Sequence, residues 1–199
     1  MSFRSTFAKI WKFLWKDDSI ASWIVNLVLA FVIVKFIVYP LLGLIFSTTH
    51  PIVAVFSHSM EHPGGFDEWW RSQSDWYETY GFSKTDAKKW PLRNGFNKGD
   101  IIILIGKKPK DILGGDVIVF QGNSNDPIIH RVIRRRLENN TYYYQTKGDN
   151  NPDSFEGLGE TNIKQDKVIG TGVFRIPLLG WVKIFFVDLL SKLGFGGLK

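Results

Sequence analysis

Cysteine is absent from the 199 residues, so a disulfide scaffold is excluded, while an extracytoplasmic location stays open because such domains can do without disulfides. Histidine is scarce: His50, His58, His62 and His130 are the four imidazoles available to any chemistry. There is no internal repeat, and no alternation of strands with helices that would argue for a nucleotide-binding α/β fold. Bias toward polar or low-complexity composition is also missing. Hydrophobic residues make up 44%, aromatics 15% and charged residues 22%, which excludes a chain unable to bury a core. The length suits one compact domain and excludes a multidomain machine.

What is present is segregated. Ile20 to Phe46 reads IASWIVNLVLAFVIVKFIVYPLLGLIF, with Lys35 as its single charge. About 20 apolar residues cross the hydrocarbon of a bilayer. Ser19 to Tyr39 supplies that length, and Pro40 is a natural place for the helix to end or kink. Arg4, Lys9, Lys12 and Lys16 precede the run, and no Lys or Arg follows Lys35 until Arg71. The positive-inside rule therefore predicts a cytoplasmic segment over 1–18, a single-pass anchor over 19–46 in the cell membrane, and an extracytoplasmic bulk. A cleavable signal peptide would have a shorter apolar stretch and a small-x-small site close behind it.

From Phe96 onward the pattern becomes β-rich, in the runs Ile101–Ile105, Asp116–Gln121, Ile128–Leu137, Thr141–Lys147 and Val168–Arg175, each bounded by turn residues. Glu138-Asn139-Asn140 reads as a hairpin turn. The expectation is a mainly β, mostly antiparallel domain over 47–175. Within it, 64–95 is rich in Trp and Tyr. Trp69, Trp70, Gln73, Trp76, Tyr77 and Tyr80 recur at helical steps, with Asp67 as candidate N-cap, Gly81 as terminator and Ser83 as cap of a second short helix. The stripe packs onto the β-domain or, in a sharper reading, forms a flap touching lipid or substrate. At the C-terminus, 176–199 carries Lys183, Asp188, Ser191 and Lys192 opposite Phe185, Phe186, Leu189, Leu190 and Leu193, which predicts an amphipathic helix lying on the membrane.

Two histidine arrangements compete for the chemistry. His58-Ser59-Met60-Glu61-His62 matches the H-x-x-E-H pattern of some zinc peptidases, which needs both rings on one helical face. Pro63-Gly64-Gly65 follows at once and a short β-branched run precedes it, so the metal reading ranks low. The other arrangement centres on Ser57-His58-Ser59-Met60. Serine needs a base within hydrogen-bond reach and a third group to orient that base. After it come Lys98-Gly99-Asp100-Ile101-Ile102, Gly115-Asp116-Val117-Ile118-Val119-Phe120, His130-Arg131-Val132, Lys147-Gly148-Asp149-Asn150-Asn151-Pro152-Asp153 and Ile176-Pro177-Leu178-Leu179-Gly180.

In that order of boxes, behind an N-terminal anchor, the chain resembles type I signal peptidase. The bacterial branch carries Lys before R-V and the archaeal and endoplasmic-reticulum branch carries His, so His130 places the resemblance with the latter. The resemblance implies an all-β catalytic fold, Ser59 as nucleophile, His130 as general base, and Ser57 with the Ser59 backbone N–H as oxyanion hole. Asp153 would orient the imidazole, with Asp149 as competitor. Lys147 or Lys98 as base in a Ser-Lys pair ranks below His130. Three features depart from the family pattern. His58 stands where glycine is usual, the segment between Pro63 and Phe96 is an insertion, and only three residues separate Asp149 from Asp153.

By the same resemblance the chain would be a membrane-anchored serine endopeptidase that removes signal peptides from preproteins and needs neither cofactor nor metal. Its partners would be signal peptides and the bilayer, with accessory membrane subunits left open. A catalytically inactive, peptide-binding β-domain is the alternative. The basic group Arg131, Arg134, Arg135 and Arg136 reads as a solvated or headgroup-facing surface rather than a nucleic-acid site.

Overall fold

A computed structural model of the chain describes residues 3–182, 184 and 185, in two compact units, 1–45 and 46–199. In the first unit, α1 (Phe3–Lys16) is followed by α2 (Ile20–Ile33), whose N-cap Ser19 accepts a hydrogen bond from the Ser22 N–H. A π-helical turn over Val34–Val38 leads into α3 (Tyr39–Phe46). Ile20–Phe46 is thus one helix of 27 residues, long and apolar enough to cross a membrane. Pro40 does not end it. A proline ring collides with the carbonyl four residues earlier, here that of Phe36. The π turn widens the helix at that carbonyl, with the Tyr39 N–H bonding back to Val34 O, and the helix continues.

The second unit is built on a seven-stranded antiparallel sheet. Its strands are β1 (Ile52–Ala54), β2 (Ile101–Ile105), β3 (Val117–Phe120), β4 (Ile128–Glu138), β5 (Thr141–Lys147), β6 (Ile163–Lys164) and β7 (Val168–Ile176). The spatial order is β1-β2-β7-β3-β4-β5-β6. Every strand expected from Phe96 onward is present within a residue or so at each end. β1 and β6 were not expected as strands; with three and two residues they are too short to display an alternating pattern. The β4–β5 hairpin closes through Asn139 and Asn140, both at positive φ (47° and 61°), with Glu138 paired to Thr141. That is the two-residue turn whose twist suits paired strands, and Asn tolerates it better than most residues.

The two G-D boxes form turns entering β2 and β3. Asp100 and Asp116 each accept a hydrogen bond from the backbone N–H three residues earlier, of Asn97 (2.7 Å) and Leu113 (3.0 Å). One core beneath the sheet gathers Val55, Met60, Phe96, Ile102, Leu104, Val117 and Val119, and so fixes the segment around Met60.

Between β1 and β2 lie α4 (Phe66–Thr79) and α5 (Lys84–Ala87). The N-cap of α4 is Gly65 rather than Asp67. Asp67 stands in the first helical turn, where a carboxylate favours the helix dipole, and pairs with Lys84 at 2.8 Å. Ser83 does cap α5, in a reciprocal box with Asp86. Trp69, Trp70 and Tyr77 are buried with Trp90 and with Ile133 of β4, so the aromatic stripe packs against the β-domain. Most of the expected C-terminal helix, residues 183 and 186–199, lies outside the described residues.

Candidate active site

Ser59 sits in the loop after β1, held by its neighbours on both sides. Met60 is 1% exposed in the core, and its carbonyl accepts from the Phe96 N–H at 3.0 Å. The Ser59 carbonyl accepts from the Asn150 N–H at 2.8 Å. This leaves the half-buried Ser59 hydroxyl 2.9 Å from His130 Nε2 and 3.0 Å from the hydroxyl of Ser57. His130 lies on β4 opposite Ile118 and is 4% exposed.

The carboxylate on the other ring nitrogen, Nδ1, is that of Glu160. Glu160 is fully buried, at the end of the loop that precedes β6. It also accepts from the Phe155 N–H (2.9 Å) and the Thr146 hydroxyl (3.3 Å), while its own carbonyl accepts from the Thr146 N–H (2.9 Å). Hydrogen bonds thus fix the acid at both side chain and backbone, and its acceptor-only carboxylate calls for a proton on His130 Nδ1. Nε2 is then the nitrogen free to accept from serine. Gly148 makes room for the ring, since a Cβ there would stand 2.9 Å from His130 Nε2 and 2.6 Å from Asn151 Nδ2.

The structure therefore brings Ser57, Ser59 and His130 together, and places Asp149 and Asp153 elsewhere. Asp153 is exposed, and its carboxylate accepts from Trp76 Nε1 at 3.1 Å. Asp149 is fully buried in a second polar cluster. Arg131 Nε and Nη2 donate to its two oxygens at 2.8 and 2.7 Å, Tyr77 Oη donates to one at 2.9 Å, and His62 Nε2 lies 2.8 Å from the other. Burial alone would raise the Asp149 pKa, but the Arg131 guanidinium and the His62 hydrogen bond outweigh it and hold the carboxyl well below the usual carboxylate range. The same burial pushes the Tyr77 phenol far up, helped by the Asp149 charge.

Arg131 also donates to the carbonyls of Pro91, Leu92 and Gly115 and stacks over Trp90, 5.0 Å from its ring centre. It is therefore no member of a basic surface with Arg134, Arg135 and Arg136, which are exposed. Strand alternation separates it from its neighbour, turning His130 to one face of β4 and Arg131 to the other.

The segment 58–62 is not helical, and its two histidines have different surroundings. His58 is exposed and lies 2.6 Å from Glu61. His62 is buried, stacked on Trp69 with ring centres 3.9 Å apart, and its Nε2 is engaged by Asp149. Among the described residues no group of three or more His, Asp or Glu could hold a metal ion. Neither lysine weighed as a base reaches Ser59. Lys98 lies over the Trp181 ring at 5.9 Å. Lys147 is buried against Trp76 and Tyr77, where it donates to Gln73 Oε1 at 2.9 Å, and desolvation brings its pKa down to about 8.

Glu160 was not among the expected site residues. The one sequence signal for it is negative: the short spacing from Asp149 to Asp153 already departs from the family pattern, which opens the search to the next acids, Glu156 and Glu160.

No protein-family model matches the chain. It is 33% identical over 102 residues to the signal peptidase complex catalytic subunit SEC11C of Homo sapiens, across 49% of this chain and 53% of that protein. To the signal peptidase complex catalytic subunit SEC11 of Zygosaccharomyces rouxii it is 31% identical over 117 residues, across 54% of this chain and 70% of that protein. The chain belongs to the signal peptidase family. A longer match, 28% identity over 169 residues and 82% of both chains, is found with the SEC11 catalytic subunit of Scheffersomyces stipitis. The chain spans about half the length of the mammalian SEC11C relatives it matches. Within this signal peptidase fold the S-x-S-M and H-R-V boxes meet at the Ser59–His130 hydrogen bond, and the G-D-N-N box supplies Asp149 to the Arg131 cluster.

Proposed function

We propose that the chain is a membrane-anchored serine endopeptidase that removes N-terminal signal peptides from secreted preproteins. One observation carries the reading: a single buried imidazole has a serine hydroxyl on one nitrogen and a carboxylate on the other. Family membership supports the substrate class.

In the proposed mechanism His130 Nε2 takes the Ser59 proton as Oγ attacks the scissile carbonyl, and the resulting imidazolium is stabilised by Glu160. The oxyanion receives hydrogen bonds from the Ser59 N–H and the Ser57 hydroxyl, which the 3.0 Å contact already holds beside the nucleophile. His130 returns the proton to the leaving amine. A water, deprotonated by the same nitrogen, then hydrolyses the acyl-enzyme. Glu160 takes the orienting part in place of Asp153 or Asp149, neither of which sits at the ring.

The anchor over 19–46, the peptidase domain over 47–175 and a cytoplasmic N-terminus belong to the same reading, supported by the apolar helix and by the Lys and Arg that precede it. The relatives are described as catalytic subunits of a complex, so accessory membrane subunits are proposed partners.

The test is incubation of the full chain in liposomes with a signal-bearing preprotein, followed by sequencing of the new N-terminus. Cleavage after a small-x-small site, lost in Ser59→Ala and His130→Ala variants that keep their fold, is the expected result. Equal cleavage by either variant would overturn the assignment.

A further inference from the structure

The peptidase reading leaves α1 unused, yet this helix is sharply two-sided. Phe7, Trp11 and Trp15 follow one another at four-residue steps and form a ridge, with ring centres 6.3 and 5.6 Å apart. All three are exposed, at 58%, 53% and 71%. Lys12 and Lys16 each follow a ridge tryptophan by one residue, roughly 100° further round the helix. Together with Phe7, Ala8 and Trp11 they line a shallow groove. Arg4, Lys9, Lys12 and Lys16 are the charged residues of the segment before Asp17, and all are positive.

The corner between α1 and α2 is built rather than frayed. Two polar side chains of the apolar helix turn back to the last turn of α1, where helix carbonyls lack partners of their own. Ser22 Oγ donates to Phe13 O at 2.6 Å, and Asn26 Nδ2 donates to Leu14 O at 2.8 Å. Ser19, capped in turn by Asp17, starts the next helix.

Three observations decide what covers the ridge. α1 is joined by three residues to a helix of 27 residues whose apolar stretch is unburied, so a membrane that receives α2 has α1 at its surface. Tryptophan beside lysine is the composition of the headgroup layer, where an indole has one apolar face and one wet edge. The uniform positive charge complements anionic lipid. We infer that α1 is an in-plane membrane anchor: its Phe7–Trp11–Trp15 ridge enters the acyl–headgroup boundary, and Lys12 and Lys16 bind the phosphates of anionic phospholipids. This surface acts whether or not the chain cleaves preproteins.

The absence of cysteine makes the test direct. Single-cysteine variants of the full chain (Phe7→Cys, Trp11→Cys, Lys12→Cys, Trp15→Cys and Lys16→Cys) are nitroxide-labelled in vesicles of phosphatidylcholine containing phosphatidylglycerol. Labels at 7, 11 and 15 are expected to be reached by oxygen and shielded from a water-soluble nickel complex, and labels at 12 and 16, each roughly 100° or more round the helix from Trp11, the reverse. The Lys12 and Lys16 labels leave the ridge intact, so they remain informative even if loss of a tryptophan loosens the helix. Nickel access to all five positions alike would overturn the proposal, and so would a ridge shielded from both reagents, the sign of a protein covering it. The depth of the label at 15 should fall when phosphatidylglycerol is omitted, and in the anionic vesicles when Lys12→Gln and Lys16→Gln are combined. The shielding ratio should change by roughly fivefold per lysine. A depth indifferent to lipid charge would overturn the headgroup contact.

Discussion

Two polar clusters share the same boxes of sequence and have opposite construction. Around His130 the groups are few, and one hydroxyl is left within reach of a substrate. Around Asp149 every oxygen is occupied by Arg131, Tyr77 or His62, and both the aspartate and the arginine are closed off from water. The first cluster has the geometry to move a proton, as proposed, and the second holds a loop. Adjacent residues of one motif, His130 and Arg131, serve these two ends because a strand turns successive side chains to opposite faces. The clusters also touch through the backbone: the residue after Asp149 grips the Ser59 carbonyl, and Trp69 Nε1 of α4 donates to the Asp149 carbonyl at 2.8 Å.

The comparison breaks most sharply at Ser59, the proposed nucleophile. Ser59→Ala should lower turnover by about 10⁴–10⁶-fold with the melting temperature unchanged, as measured by preprotein cleavage beside thermal unfolding. Glu160→Gln keeps the shape but removes the charge facing the imidazolium. Turnover should fall on the order of 10²–10⁴-fold, and Asp153→Asn should change it by less than about threefold. Equal losses in these two would remove Glu160 from its part.

The second cluster should respond in stability rather than in turnover. Asp149→Asn strands a buried guanidinium and should cost about 3–5 kcal/mol of stability, read by denaturant unfolding, with a smaller loss of activity per folded molecule than Glu160→Gln. Lys147 gives the smallest effect, and one that depends on pH. Its folded pKa of about 8 lies below the ordinary 10.5, so between those values the unfolded chain holds a proton that the folded chain has released. Stability should therefore rise with pH across that window by at most about 3 kcal/mol relative to Lys147→Met, and the difference should be flat below pH 8. A flat difference throughout would mean that water reaches the ammonium.

The legible parts of the molecule are those that local pattern determines. β2, β3, β4 and β7 are runs rich in β-branched residues and β5 is a tyrosine run, each between turn residues, and the Asn139–Asn140 turn announces its hairpin. Ser59 and His130 emerge from the order of the boxes. Glu160 escapes because its position depends on how the loop from Gly148 to Glu160 closes, with β6 pairing back on β5 at Tyr144 and Ile163. No periodicity records that closure. Asp149 resembles a catalytic acid for the same reason, since a motif shows which residue is present but not which face of the fold receives it. The amphipathic pattern of α1 is present in the sequence, masked there by a charge that reads as a topology signal.

The π turn in the apolar helix bears on membrane thickness. Twenty-seven helical residues would span ~40 Å if straight, about 10 Å more than a typical hydrocarbon core. In the proposed single-pass arrangement, counted from Ile20, that core is filled at about Tyr39, one residue after the π turn, and Pro40 begins the surplus. The hydrophobic mismatch is then α3 without its first residue, and the helix changes its winding close to the level where a bilayer of ordinary thickness gives way to headgroups. A thicker membrane would draw α3 inward, and a thinner one would leave it lying along the interface.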